Sequence, residues 1–154
     1  MTQSSIVVEV NSVRARPGGP ATANIWLIVD GYEFPTPRWN DFVVVVLGWW
    51  VATLLVLLRN TSTRETVNFM DGPYAVEVSK TLSGMLKFRA LEGSGRTREV
   101  ATGEEPAMPF ILGLLSQSHE ILEECKRQGW WSKDAETLES SLEALEQESG
   151  RLLR

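Results

Sequence analysis

The chain has 154 residues, of which 43% are hydrophobic and 23% are charged, and its net charge is −5. We expect one globular domain over residues 1–154, because this length supports a sizeable core. The acidic balance argues against a dedicated nucleic-acid-binding protein, which would be basic. A single cysteine and a single histidine exclude an internal disulfide and the usual zinc sites, so we expect no metal and no cofactor.

The N-terminal part of the chain predicts two strands. Residues 5–14 alternate apolar with polar side chains, as a half-buried strand does, whereas residues 22–29 are apolar on both faces and favour a central strand. Glycines and prolines in residues 16–20 predict a loop between them. No basic stretch precedes an apolar run at the start of the sequence, so we expect a cytoplasmic protein without a secretory signal.

Residues 42–58, which read FVVVVLGWWVATLLVLL, form the most apolar segment. They carry no charge and only one hydroxyl, that of Thr53. Seventeen residues are too many for one strand, and as a helix they would be about 25 Å long. We expect Asn40 or Asp41 to cap the first turn, and Arg59 to suit the negative end of the helix dipole.

Two alternatives to a buried helix remain open for this segment. The valines of residues 43–46 favour strand structure, which predicts a short strand that breaks at Gly48. The other alternative is a membrane-associated protein that inserts residues 42–58. A bilayer span usually needs about 20 apolar residues, and about 17 are sufficient. Trp49 and Trp50 lie near the middle of the segment rather than at a membrane interface, which favours the buried helix.

The next part of the sequence predicts an antiparallel meander, because short alternating runs are separated by small turns such as Asp71-Gly72-Pro73. The last of these strands is polar and is predicted to lie at an edge. The strands are predicted over residues 64–70, 74–80, 85–91 and 96–102.

Two amphipathic helices are predicted at the C-terminal end, over residues 107–127 and 134–148. Gly129 would end the first helix and Gly150 the second, while Ser132 or Asp134 would cap the second.

This order of elements predicts an α+β fold. We expect an antiparallel sheet of five to six strands, with one buried apolar helix and two C-terminal helices packed mainly on one face. Because the central helix is apolar all round, it should be buried on all sides.

No motif in the sequence indicates an enzyme. His119 and Cys125 are six residues apart on one predicted helix, which places their side chains on different parts of its surface and not in a nucleophile–base contact. Cys125 falls on the apolar stripe of that helix and should be a buried small hydrophobe. We therefore expect a non-enzymatic protein with no catalytic residue.

The last helix accounts for the net negative charge of the chain. Without its six acidic residues, 14 acidic side chains of the chain would stand against 15 basic ones. Four of the six form an acidic ridge beside an apolar seam, with the same spacing of three and four residues. The ridge is Glu136, Glu139, Glu143 and Glu146, and the seam is Ala135, Leu138, Leu142 and Leu145. The ridge is either a solvated surface or a surface complementary to a basic partner.

Six tryptophans also have to be placed. Trp26, Trp39, Trp49 and Trp50 are expected in the core as large hydrophobes. Trp130 and Trp131 lie in the link between the last two helices. They either cover the end of the core or include an anchor for a partner, so we count both as candidate partner-binding residues.

Three short stretches carry a family resemblance: residues 37–42 (PRWNDF), residues 47–50 (LGWW) and residues 69–74 (FMDGPY). Together they resemble small bacterial immunity proteins of polymorphic or contact-dependent toxin systems. The resemblance covers residues 35–80 and implies a cytoplasmic protein that binds one cognate toxin domain and blocks it. No binding residues follow from it, because these families use different surfaces.

We therefore expect a binding protein, monomer or homodimer, that neutralises a bacterial toxin domain. The acidic ridge would suit a basic toxin domain, with no role for nucleic acid or a membrane. The alternative is a homo-oligomeric structural protein that pairs with another copy through the seam of its C-terminal helix.

Overall fold

The computed structural model of the protein describes residues 4–152. It has an α+β fold, as predicted, with eight strands in two antiparallel sheets and three helices. The expectation of one sheet with five to six strands is therefore wrong. Buried apolar side chains of both sheets and all three helices form one continuous cluster.

The first sheet contains β1 (Ser5–Ala15), β2 (Ala21–Val29), β3 (Tyr32–Phe34) and β4 (Asn40–Asp41). β2 lies in the centre, as its apolar faces predict, with β1 on one side and the short β3 and β4 on the other. The sequence analysis missed β3 and β4, because strands of two and three residues leave no alternating pattern.

The second sheet contains β5 (Arg64–Asn68), β6 (Tyr74–Lys80), β7 (Met85–Glu92) and β8 (Arg98–Pro106), paired in chain order. The predicted meander is confirmed. β8 is the polar edge strand, but it begins and ends later than residues 96–102.

The apolar segment forms helix α1 (Val43–Leu58), so the alternative of a broken strand is wrong. The predicted N-terminal cap is also wrong. Asn40 and Asp41 belong to β4, and the N-cap position is Phe42, with no side-chain hydrogen bond to the first turn. Packing, rather than capping, holds this helix. No helix within residues 4–152 combines the length and the apolar character that crossing a membrane requires.

Ten of the sixteen residues of α1 are buried, and the rest share one face. Trp49 and Ala52 are exposed on that face, while Gly48 and Thr53 are half-buried. The expectation of burial on all sides is thus wrong for the isolated chain, and so is the placement of Trp49 in the core. Trp50, by contrast, is fully buried beside the ring of Phe110.

The last two helices are α2 (Ala107–Arg127), with the predicted bounds, and α3 (Lys133–Leu152). α3 continues past Gly150, which was expected to end it. The hydroxyl of Ser132 caps α3 by accepting the backbone N–H of Ala135 at 3.2 Å. α3 packs against both α1 and α2.

Candidate functional site

The acidic ridge lies on the exposed face of α3. All four of its glutamates are exposed, and all four seam residues beside them are buried. The helical period therefore predicted correctly which side of α3 faces the core. The structure brings the ridge together as one surface.

Two ridge glutamates contact side chains of α2. The Nζ of Lys126 lies 3.3 Å from Oε2 of Glu139, and Nε2 of His119 lies 2.8 Å from Oε1 of Glu146. The sequence analysis missed these pairs. His119 and Lys126 are seven residues apart on α2, and Glu139 and Glu146 are seven apart on α3. This equal spacing is the sequence feature that could have predicted the pairs.

Glu136 and Glu143 are the other two ridge residues, and neither has an ion pair within residues 4–152. They are seven residues apart on α3, which places them about 10 Å apart on one side of the helix. The uncompensated negative charge of the ridge is therefore concentrated on these two carboxylates.

The two tryptophans before α3 have different environments. Trp130 is buried, and its Nε1–H donates to the carbonyl oxygen of Gly19 at 2.8 Å. It covers the end of the core and is not available to a partner, which corrects its inclusion among the candidate binding residues. Trp131 is 37% exposed, and the Nζ of Lys126 lies 4.6 Å from its ring centroid.

The seam of α3 is occupied within the chain. Leu138, Leu142 and Leu145 are at most 1% exposed and belong to the continuous core, where α3 packs chiefly against α1. Pairing of two copies through this seam would require the core to open, so the expected route to a homo-oligomer is wrong.

Two of the three stretches that carry the family resemblance, residues 37–42 and 69–74, meet at the buried carboxylate of Asp41. The carboxylate of Asp41 accepts the indole N–H of Trp39 at 3.0 Å and the backbone N–H of Met70 at 3.1 Å. The ring of Trp39 packs edge-to-face against Tyr74, with centroids 5.2 Å apart. These residues join the first sheet to the turn after β5, so their role in this structure is packing.

The single cysteine, Cys125, is buried and forms no disulfide. Burial, followed by the nearby charge of Glu124, raises the pKa of the Cys125 thiol to about 11, so the thiol is protonated at neutral pH. His119 is exposed and contacts Glu146 instead. Within residues 4–152, no three side chains of His, Cys, Asp or Glu are grouped so that they could hold a metal ion.

A polar cleft of about 360 Å³ lies on the first sheet, where β1 has an irregular register between Glu9 and Arg14. The carboxylate of Glu9 accepts hydrogen bonds from Asn24 at 2.8 Å and Arg38 at 3.2 Å. The polar groups at its centre are therefore satisfied by one another, as in a surface network. The sequence analysis did not identify it, because its residues come from strands and loops that are distant along the chain.

Comparison with protein families, with curated proteins and with solved structures gives no match to this chain.

Proposed function

We propose that this chain is a non-enzymatic binding protein that neutralises a basic toxin domain, as an immunity protein does. The observation that carries this proposal is a pair of exposed carboxylates on α3, Glu136 and Glu143, which have no ion pair within residues 4–152 and share a face of the chain with the exposed ring of Trp131. A cytoplasmic setting suits the free thiol of Cys125.

The ridge supplies the electrostatic part of such an interaction. Like charges along one face repel one another, and a basic partner relieves that repulsion when it binds. A concentrated field of one sign also speeds encounter with a partner of the opposite sign, and this effect falls with ionic strength.

Trp131 supplies the apolar part. Tryptophan is enriched among the residues that contribute most to protein interfaces, and the indole ring is rigid, so it loses little entropy on binding. Its contact with Lys126, which itself pairs with Glu139, holds the ring at the end of the ridge. The ridge and Trp131 thus form a continuous surface of charge with an aromatic anchor, which we call the α3 surface.

The test begins by asking whether the adjacent gene encodes a toxin-like domain, and it uses that domain as the partner. We expect the double variant Glu136→Lys, Glu143→Lys to slow its association by about tenfold at low salt and to flatten the salt dependence. Stopped-flow fluorescence at several ionic strengths measures both. A matched control reverses Glu104, which is exposed on β8, to lysine; its effect per charge should be several times smaller.

Absence of a complex between the two purified proteins would contradict the proposed function. A complex whose association rate responds equally to reversal of Glu104 and of Glu143 would show that the α3 surface is not the contact.

A further inference from the structure

The side chains of Gln117 in α2 and of Gln128, which follows α2, protect one edge of the first sheet. Gln117 lies along β1, where its Oε1 accepts the backbone N–H of Val8 and its Nε2–H donates to the carbonyl oxygen of Ile6, each at 2.5 Å. Gln128 makes the same pair of contacts further along β1, each at 3.0 Å. Two amides thus replace the neighbouring strand that this edge lacks.

The outer edge of β5 has no such protection within residues 4–152, where β5 pairs only with β6. The bonds from Phe69 N–H to Tyr74 and from Lys80 N–H to Thr63 show that the odd-numbered residues face β6. Since an antiparallel ladder alternates, the even-numbered residues of β5 direct their backbone groups to the outer edge.

The even-numbered residues differ in whether their outward backbone groups have partners. Those of Arg64 are satisfied by the hydroxyl of Ser62, which donates to the carbonyl oxygen of Arg64 at 2.9 Å and accepts its N–H at 3.3 Å. For Thr66 and Asn68, no partner for the outward N–H and C=O groups exists within residues 4–152. Four backbone groups therefore face outward in a row, which is the pattern that another extended strand recognises.

A groove of about 270 Å³ runs beside this open edge. α1 forms its other wall with Trp49, Ala52 and Thr53, and no charged residue lines it. Trp49 is 39% exposed there. An occupant of the edge would thus place its own uncharged side chains against the outer face of α1.

We propose that the occupant is a second copy of this chain, bound by antiparallel pairing of β5 with β5. A twofold axis at Val67 sets Thr66 opposite Asn68 of the second copy, and Asn68 opposite its Thr66. The open groups of the two copies then satisfy one another in four hydrogen bonds, and the two sheets join into one sheet of eight strands.

Charge complementarity supports this register. The exposed Arg64 lies at the start of β5 and the exposed Asp71 in the turn after its end. Antiparallel pairing about Val67 brings the start of one strand beside the end of the other. Each Arg64 therefore approaches Asp71 of the second copy, and no like charges meet at the axis.

The dimer also accounts for the composition of α1. A short connection joins α1 to β5, and Trp49 and Ala52 line the same groove as Thr66 and Asn68. The twofold axis therefore brings the outer faces of the two α1 helices against each other. The face that is exposed in the single chain becomes buried, which explains why no side of this helix carries a charge.

The contact consists of one short strand and one helix face, which is smaller than the roughly 800 Å² per partner of a standard stable interface. We therefore expect a weak dimer that forms as the concentration rises from about 10 μM to about 1 mM. Sedimentation velocity should show the mass moving from 17.2 kDa toward twice that value.

The decisive variants both remove the side chain of Thr66, and only one of them keeps the backbone N–H of residue 66. Thr66→Pro removes the outward donor and should be tolerated, since proline is accepted on an edge whose N–H faces solvent. It should weaken dimerisation by about thirtyfold, because symmetry removes two hydrogen bonds at once. Thr66→Ala keeps the donor and should dimerise within about threefold of the natural chain.

A second pair of variants keeps the test independent of the proline. Trp49→Lys should abolish the dimer, whereas Trp131→Lys, which removes an equally exposed tryptophan from the α3 surface, should leave it unchanged. A natural chain that remains monomeric at 1 mM overturns the proposal. So does a dimer that survives both Thr66→Pro and Trp49→Lys. Neither result bears on toxin binding, which depends on the α3 surface.

Discussion

The carboxylate of Asp41 accepts the backbone N–H of Met70 at 3.1 Å, across 29 positions of the chain. The same side chain also accepts the N–H groups of Trp39, Phe42 and Asp71, at distances of 2.7 to 3.4 Å. Asp41 is only 3% exposed, so it joins β4 of the first sheet to the turn after β5 in a site that excludes water. A buried charge is stable there because four donors surround it.

Asp41→Asn is therefore expected to destabilise the fold by about 2–4 kcal/mol, because the amide keeps one acceptor and turns an NH₂ group toward N–H donors. Urea unfolding followed by tryptophan fluorescence measures the change. Asp71→Asn, in the exposed turn, is the control and should stay within about 0.5 kcal/mol. Equal losses from the two variants would contradict the role of Asp41 as the joint.

This joint also shows what the sequence could and could not predict. The residues around Asp41 belong to a stretch that carries the family resemblance. Their position just before the apolar segment predicts that Asn40 or Asp41 caps a helix. In the structure, Asp41 accepts the backbone N–H groups of Met70 and Asp71 instead. A contact between residues so far apart along the chain leaves no periodic pattern in the sequence. The helical periods of α2 and α3, by contrast, depend on neighbours along the chain and gave correct buried faces.

Gln117 of α2 gives a second prediction. Gln117→Ala leaves the N–H of Val8 and the carbonyl of Ile6 without partners and should cost about 1–3 kcal/mol in the free energy of unfolding. It should also promote aggregation, because the edge of β1 becomes open. Gln147→Ala, at an exposed position of α3, is the matched control. Unchanged stability and light scattering in Gln117→Ala would show that α2 does not protect this edge.

Cys125 gives a prediction for pH dependence. Its thiol pKa is raised from the ordinary 9.0 to about 11, chiefly by burial, so the folded chain holds the proton more tightly than the unfolded chain. The stability that this provides is fully present below about pH 9 and is lost as the pH rises toward 11. Urea unfolding at pH 8, 9 and 10 should show this loss, and Cys125→Ala should reduce the slope. An identical slope in the two proteins would contradict it.

The candidate site was only partly predictable, for a related reason. The ridge glutamates follow one helical period, so the sequence alone placed Glu136 and Glu143 correctly on an exposed face. Which carboxylates α2 neutralises depends on how the two helices are set against each other. In the structure, Lys126 of α2 pairs with Glu139, and the same lysine lies over the ring of Trp131.

Two glycines should respond in opposite directions to alanine. A Cβ on Gly103 of β8 would lie 2.7 Å from the Oγ of Ser4 and 3.1 Å from the backbone N of Asp30, so β8 could not keep its close contact with the turn after β2. Gly103→Ala should lower the free energy of unfolding by about 1–3 kcal/mol. Gly113, within α2, has open space around its Cβ position, and Gly113→Ala should raise it by about 0.5–1 kcal/mol through helix propensity.

Urea unfolding of both variants measures these changes in stability. Ser4→Gly in the Gly103→Ala background should restore part of the lost stability, because it removes the hydroxyl that the new methyl group contacts. If Gly103→Ala instead raises the stability as Gly113→Ala does, then β8 does not approach the turn at Asp30 this closely. The two sheets would then meet mainly through α1 and the Asp41 joint.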